Sequence, residues 1–188
     1  MANTASNVSA GKPKTTGAIW VAPKGTALPT DTSTALNEAF KCLGYCSDDG
    51  LTNGTNLESE QIKAWGGDTV LSIQTSKDDT YKFTLIEVLN EDVLKFVYGS
   101  TNVSGTLETG LIVTANNKDV EEVSVVIDMI MRDNTAKRVV IPAGKISDMG
   151  DITYSDSDAV GYETTLTCIP DGSGNTHYEY ILKTVVSG

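Results

Sequence analysis

His177 is the only histidine of the chain, so any Ser-His-Asp or Cys-His chemistry would have to run through it. It follows the turn Asp171-Gly-Ser-Gly-Asn175, with no Gly-x-Ser-x-Gly elbow nearby to present a nucleophile. An ordinary strand-end residue is the better reading. Cys42, Cys46 and Cys168 would complete, with His177, the four ligands of a structural zinc, but their spacing resembles no compact zinc knuckle. They fit small buried apolar positions instead. If Cys42 and Cys46 share a strand, their Cα atoms lie about 13 Å apart, beyond the ~7 Å reach of a disulfide. Asp48, Asp49, Asn53, Asn56 and Glu58, or Asp156 with Asp158, offer oxygen ligands of the kind calcium takes. They miss the D-x-[DN]-x-[DN]-G spacing, and turn chemistry accounts for them. The glycines are scattered among turns, outside any P-loop or dinucleotide fingerprint. The sequence therefore assigns no catalytic residue, no metal and no cofactor, and the expectation is that the chain is not an enzyme.

Charge narrows the choice further. The 188 residues carry 14 Lys and Arg against 25 Asp and Glu, a formal charge of -11. An acidic surface repels phosphate backbones, so conventional nucleic-acid binding is disfavoured. With 39% hydrophobic residues the chain has the size and core of one ordinary domain, not of a disordered polymer. No run approaches the roughly 18 to 20 apolar residues that cross a bilayer, and residues 1–14 lack an apolar signal core. A soluble, cytoplasmically made protein without membrane insertion is expected.

The elements that must position these residues read as short alternating runs separated by turns at about ten-residue intervals, the pattern of a β-sandwich or barrel. Residues 1–16 have no period and read as a flexible N-terminal arm, leaving 17–188 as a single β domain. Strands are expected over 17–22 and 40–47, with a loop or hairpin tip at Asp48-Asp-Gly50 and Asn53-Gly54. The chain returns through 57–65, turns at Gly66-Gly-Asp68, and continues as 70–75 and 80–88 with Lys77-Asp-Asp79 between them. One helix is expected over 90–98: Asn90 suits an N-cap, Glu91 and Asp92 complement the dipole, and Val93, Leu94, Val97 and Tyr98 form its apolar stripe. Gly99 ends it. Further strands are expected near 111–115, over 120–132, through the Asp133-Asn-Thr135 turn into 137–141, and over 145–154, 161–169 and 177–185. The fold class is mainly β: two packed antiparallel sheets, a sandwich or partly open barrel, flanked by the one helix.

Two of these strands, 40–47 and 120–132, carry apolar or mixed residues on both faces. In 120–132, Val123, Val125, Ile127, Met129 and Met131 line one side, and Val126 and Ile130 share the other with Ser124, Asp128 and Arg132. A sandwich strand in a monomer needs one apolar face, so the excess points to subunit contacts; cover by a helix and loops of the same chain is the alternative.

Gly17-Ala-Ile-Trp-Val-Ala-Pro-Lys-Gly-Thr-Ala-Leu-Pro-Thr30, Phe40-Lys-Cys-Leu-Gly-Tyr-Cys-Ser-Asp-Asp-Gly-Leu51 and Ile62-Lys-Ala-Trp-Gly-Gly67 together resemble the major tail tube proteins of long, non-contractile-tailed bacteriophages. The segment from Tyr81 to Gly99 is similar to that family's strand followed by its helix, and order and length agree over nearly all of 17–185. The resemblance implies six subunits closing into a ring, rings stacking into a tube, and a continuous barrel around a lumen that conducts DNA into the host. Ring closure would also remove exposed sheet edges. It implies a location in the virion tail, and as partners further copies of the chain, a tape measure protein, a tail terminator and distal tail or baseplate proteins. DNA would pass through without specific binding. The Asp48, Asp49, Gly50, Asn53 and Asn56 segment corresponds to the family's inter-ring loop. The arm, with Lys12 and Lys14, corresponds to a contact with the neighbouring ring. After Val185-Val-Ser-Gly188 no appended immunoglobulin-like domain, and so no decoration, is expected.

A basic lumen would hold DNA through counterion release, so acidic and small polar residues are expected to line it. Alternation selects Glu58 and Glu60 on one strand and Glu122, Ser124 and Asp128 on another, a selection that a one-residue register change would invert. Two other classes compete: the inner tube of a contractile tail, which must bind a sheath, and a secreted or surface β-sandwich binding module, which would show a leader and clustered exposed aromatics.

Overall fold

The computed structural model of the chain describes residues 3–183; Val185 to Gly188 and the last two residues of the strand expected to end at 185 lie outside them. The fold is mainly β and antiparallel, with one α-helix among the described residues and no closed barrel. The strands are β1 (Lys12–Pro13), β2 (Ile19–Pro23), β3 (Lys41–Cys42), β4 (Cys46–Lys63), β5 (Thr69–Leu85), β6 (Val103–Ser104), β7 (Ile112–Val113), β8 (Val123–Met131), β9 (Thr135–Met149), β10 (Tyr162–Cys168) and β11 (Tyr178–Lys183). Nine of them form one sheet in the order β3-β2-β8-β9-β10-β5-β4, with β1 on β8 and β11 on β9; β6 and β7 make a separate ribbon.

Turn chemistry sets the centre of the sheet. Asp133 and Asn134 both adopt φ 55°, the positive φ that a tight hairpin with right-handed strand twist requires, and they join β8 to β9. β9 is long enough to serve two partners along one edge, β11 over residues 135–140 and β10 over residues 144–149. The two strands expected on either side of residue 143 are thus one strand, continuous through Pro142.

Helix α1 (Glu91–Tyr98) forms as its sequence dictates. The Asn90 side chain accepts from the Asp92 N–H at 3.0 Å, capping an orphan donor. Gly99, at φ 94°, donates its N–H to the Lys95 carbonyl at 2.9 Å and closes the helix. Val93, Leu94, Phe96 and Val97 are buried, and Phe96 stacks on Phe83 of β5 with ring centroids 6.3 Å apart. These residues join Ile19, Tyr81, Leu85, Val125, Ile127, Ile141 and Leu166 in the main core.

The second face of β8 is covered within the chain. Register aligns Trp20, Val126, Val140 and Tyr178 across β2, β8, β9 and β11, and Leu28, Leu36 and Phe40 from the segment after β2 pack over this row. Val126 is fully buried. The two-faced pattern of 120–132 therefore reports a second small core, and the expectation that this face meets another subunit is replaced by its alternative.

One buried ion pair anchors that cover. Arg138 donates to Asp128 from Nε (2.7 Å) and Nη2 (2.9 Å), cross-strand neighbours on β9 and β8. Its Nη1 donates to the carbonyls of Asp31 (3.1 Å) and Thr34 (2.7 Å). The same loop is tightened by the Asp31 carboxylate, which accepts from the backbone and hydroxyls of Ser33 and Thr34. These bonds hold the Asp31 carboxyl well below the usual carboxylate range, led by the backbone N–H of Thr34.

Residues 40–47 are not one strand. Leu43 is buried and donates its N–H to the Ile19 carbonyl (2.9 Å), and Gly44 turns the chain at φ 72°. The space where a Gly44 side chain would stand holds the Glu87 carboxylate, which accepts from the Tyr45 N–H at 2.9 Å. Cys42 and Cys46 consequently sit on different strands, both as free thiols.

Candidate functional site

The feature with most to offer another molecule is the β4–β5 hairpin. Its root belongs to the core: Leu51 pairs with Phe83 and Cys46 with Leu85. Beyond Asp79 almost nothing covers it, and residues 55–75 are exposed throughout. The turn at its end is made by Gly66 and Gly67, both at positive φ, with the Ala64 N–H donating to the Asp68 carbonyl at 2.8 Å. That geometry leaves the Trp65 side chain fully exposed. Leu57, Ile62, Val70, Leu71 and Ile73 are exposed as well. Register pairs Glu60 with Ile73 and Ile62 with Leu71 on one face, and Ser59 with Gln74 and Gln61 with Ser72 on the other. One side of this outer stretch is partly apolar and the other polar, with Leu57 and Lys77 paired on that second side nearer the root. Because β4 ends the sheet order, its outer edge has no strand beside it among the described residues. A long edge of this kind is a template for pairing with another chain.

The root is locked by a buried carboxylate. Asp79 is buried and accepts from Asn53 Nδ2 (2.8 Å) on β4 and Thr176 Oγ1 (2.8 Å). His177 Nδ1 meets the same carboxylate oxygen as Thr176, and its ring stands edge-on to Tyr81 at 5.5 Å. Burial pushes the Asp79 carboxyl up, but the hydrogen bonds from Thr176, Asn53 and His177 outweigh it and hold the group below its ordinary value. The one histidine therefore fastens the loop before β11 to the hairpin. Burial pushes the thiol of Cys168 up to about 12 and that of Cys46 up to about 11, in keeping with packing positions. Among the described residues no group of three or more His, Cys, Asp or Glu side chains converges on a metal position, and no helix is long and apolar enough to cross a membrane.

A family model described as phage tail tube protein matches residues 1–187. The chain belongs to this phage tail tube protein family. It is a structural component of a multi-subunit phage tail. No curated protein matches the sequence. Among solved structures, the tail tube chain is similar to a cryo-EM structure of the anti-feeding prophage cap (AFP tube terminating cap). The likeness has 9% identity over 95% of this chain and 98% of that one, with a TM-score of 0.41.

The residues that sequence selected for the tail tube fall in different places. Asp48, Asp49 and Gly50 are not a hairpin tip: they form an exposed bulge on β4, between the pairs Cys46–Leu85 and Leu51–Phe83. Their turn chemistry is spent on that bulge, with Gly50 at φ 77°. Asn53 and Asn56 are strand residues, paired with Tyr81 and Asp78. The expected turn at Lys77-Asp-Asp79 is likewise strand, because Asp79 finds its partners across the sheet and in the 176–177 loop. Glu58 and Glu60 are exposed on the hairpin. Glu122 is half-buried and ion-pairs with Lys24. Ser124 and Asp128 are buried, Ser124 donating to the Pro142 carbonyl at 2.8 Å and Asp128 paired with Arg138, so neither is presented to a lumen by this subunit. The one-residue alternation placed them outside, but the 28–40 segment covers that face. Lys12 is exposed on β1, and Lys14 Nζ lies 3.5 Å from Asp128 Oδ2. The arm runs along β8, where the Arg132 N–H donates to Ser9 Oγ at 2.7 Å.

Sequence reasoning missed the Asp79 cluster, the Arg138 anchor and the exposed apolar face of Ile62, Leu71 and Ile73. The one available signal was Ala64-Trp-Gly-Gly67, a tryptophan beside a glycine-made turn.

Proposed function

We propose that this chain builds the tube of a long, non-contractile tail, closing six at a time into rings that stack around a lumen conducting DNA into the host. Residues 17–188 make the tube-building domain, and residues 1–16 an arm that lies along β8 and offers the exposed Lys12 to the adjacent ring. The observation that carries the reading is the β4–β5 hairpin, which leaves a long strand edge without a partner among the described residues and a partly apolar face beside it. Such an edge is a liability for an isolated chain and an asset for one that meets copies of itself. Glu58 and Glu60 remain the lumen candidates: they share one hairpin face, and their charge opposes retention of DNA. The reading has the tube end on a tail terminator and distal tail or baseplate proteins and enclose a tape measure protein. It assigns the chain no catalysis and no cofactor.

Negative-stain microscopy of the purified full chain tests it. Six-fold rings or hollow tubes at high concentration are the expected result; a strict monomer throughout would refute it.

A further inference from the structure

The hairpin tip carries an exposed indole between a lysine and an aspartate, and an open cavity elsewhere on the same chain has apolar walls beside a lysine and a glutamate. The cavity, of about 380 Å³, is lined by Trp20, Leu36, Phe40 and Lys14, with the buried Asp128–Arg138 pair beneath and Ala35 and Glu38 exposed at its mouth. It is preformed, because Arg138 ties the Asp31 and Thr34 carbonyls and Asp31 tightens its own turn. The cavity is open to solvent on one side, and its volume is ample for one indole. The tip offers that indole. Trp65 is fully exposed, so it fills no cavity of its own chain. Lys63 and Asp68 flank it, matching the Glu38 and Lys14 of the cavity.

We propose that Trp65 is a knob that seats in the Trp20–Leu36–Phe40 cavity of a second copy of this chain. The inference rests on the tube reading above and names one of its contacts. Seated there, the indole meets aromatic and aliphatic walls, and the Lys14 ammonium stands within reach of its face. Asp68 pairs with Lys14 and Lys63 with Glu38. The two surfaces are different, so the contact is head-to-tail and repeats from copy to copy without self-pairing. A buried aromatic anchor ringed by polar contacts is the arrangement that concentrates binding energy at interfaces.

Two variants of the full chain test this, both at exposed positions so that the fold is kept: Trp65→Ala removes the knob, and Ala35→Trp plugs the mouth. Each is expected to raise the concentration needed for tube formation by roughly tenfold or more, with unchanged circular dichroism. Mixed in equal amounts, the two retain one productive contact, from the knob of Ala35→Trp into the cavity of Trp65→Ala. Sedimentation velocity should then show two-member species, of subunits or of rings, that neither variant forms alone. Tubes from Trp65→Ala at the wild-type concentration, or a mixture without paired species, would overturn the inference and leave the tube reading standing. A wild-type chain that never assembles would overturn both.

Discussion

Replacing Asp128 by alanine removes one half of a buried ion pair and leaves the other in place. Arg138 then keeps its bonds to the Asp31 and Thr34 carbonyls, but the donors that met the Asp128 carboxylate at 2.7 and 2.9 Å point into a site where only 3% of the residue is exposed. Lys14 loses its partner as well. Breaking a buried pair by removing one member costs about 3–5 kcal/mol, because the remaining charge is uncompensated. With a urea slope near 2 kcal/mol per molar for a domain of this size, the unfolding midpoint should fall by about 2 M, read by circular dichroism or fluorescence. The double replacement Asp128→Leu with Arg138→Met removes both charges and their desolvation cost, and should recover all but about 1 kcal/mol. Its 31–34 loop, having lost the guanidinium, should exchange amide hydrogens faster. An Asp128→Ala midpoint within about 0.3 M of the wild type would mean that water reaches the pair and that the energetic reasoning is wrong.

Two further predictions concern the hairpin root and the Gly44 turn. Since the folded Asp79 carboxyl lies below its ordinary value, its stabilisation should be complete above the unfolded pKa near ~3.9 and fade as pH falls through the lower folded value. The stability difference between wild type and Asp79→Asn, from urea titrations at descending pH, should shrink in that window; a difference that grew with acid would contradict the assignment. Gly44→Ala places a methyl on the Glu87 carboxylate at a positive φ. It should cost about 2 kcal/mol or more, a Tm drop of about 4–8 °C; an unchanged calorimetric Tm would argue against that turn.

Local signals with a single physical cause were readable in advance. The α1 helix was legible because cap, dipole and stripe agree at Asn90, Glu91 and Val93. The Asp133–Asn134 turn was legible because these residues tolerate positive φ. What failed was any inference in which a turn-forming residue has two uses. Asp48-Asp-Gly50 makes a bulge and Asp79 a cross-strand lock, and the sequence of either reads the same as a hairpin tip. The second failure was one of cover. Alternation along β8 separates its two faces correctly, yet nothing in Ser124 or Asp128 announces that Phe40, from a segment about eighty residues earlier in the chain, lies over one of them. The partner of each buried charge is set by sheet order, which strand periodicity does not encode. The strand that carries Glu58 and Glu60 was legible, but the length of the hairpin was hidden by dividing β5 at residues 77–79.

That undivided strand has a mechanical consequence. The residues that stack on the helix and those that flank the hairpin turn belong to one β5, with no turn between Thr69 and Leu85. From Asp79 to Thr69 the projecting part spans roughly 33 Å at the usual rise. A tilt of about two degrees at the Asp79 anchorage therefore displaces the far end by about 1 Å, comparable to the tolerance of a packed contact. The arm acts as a lever with its fulcrum at a carboxylate, and a load on its tip is delivered to Phe83 and, through the stacked rings, to Phe96.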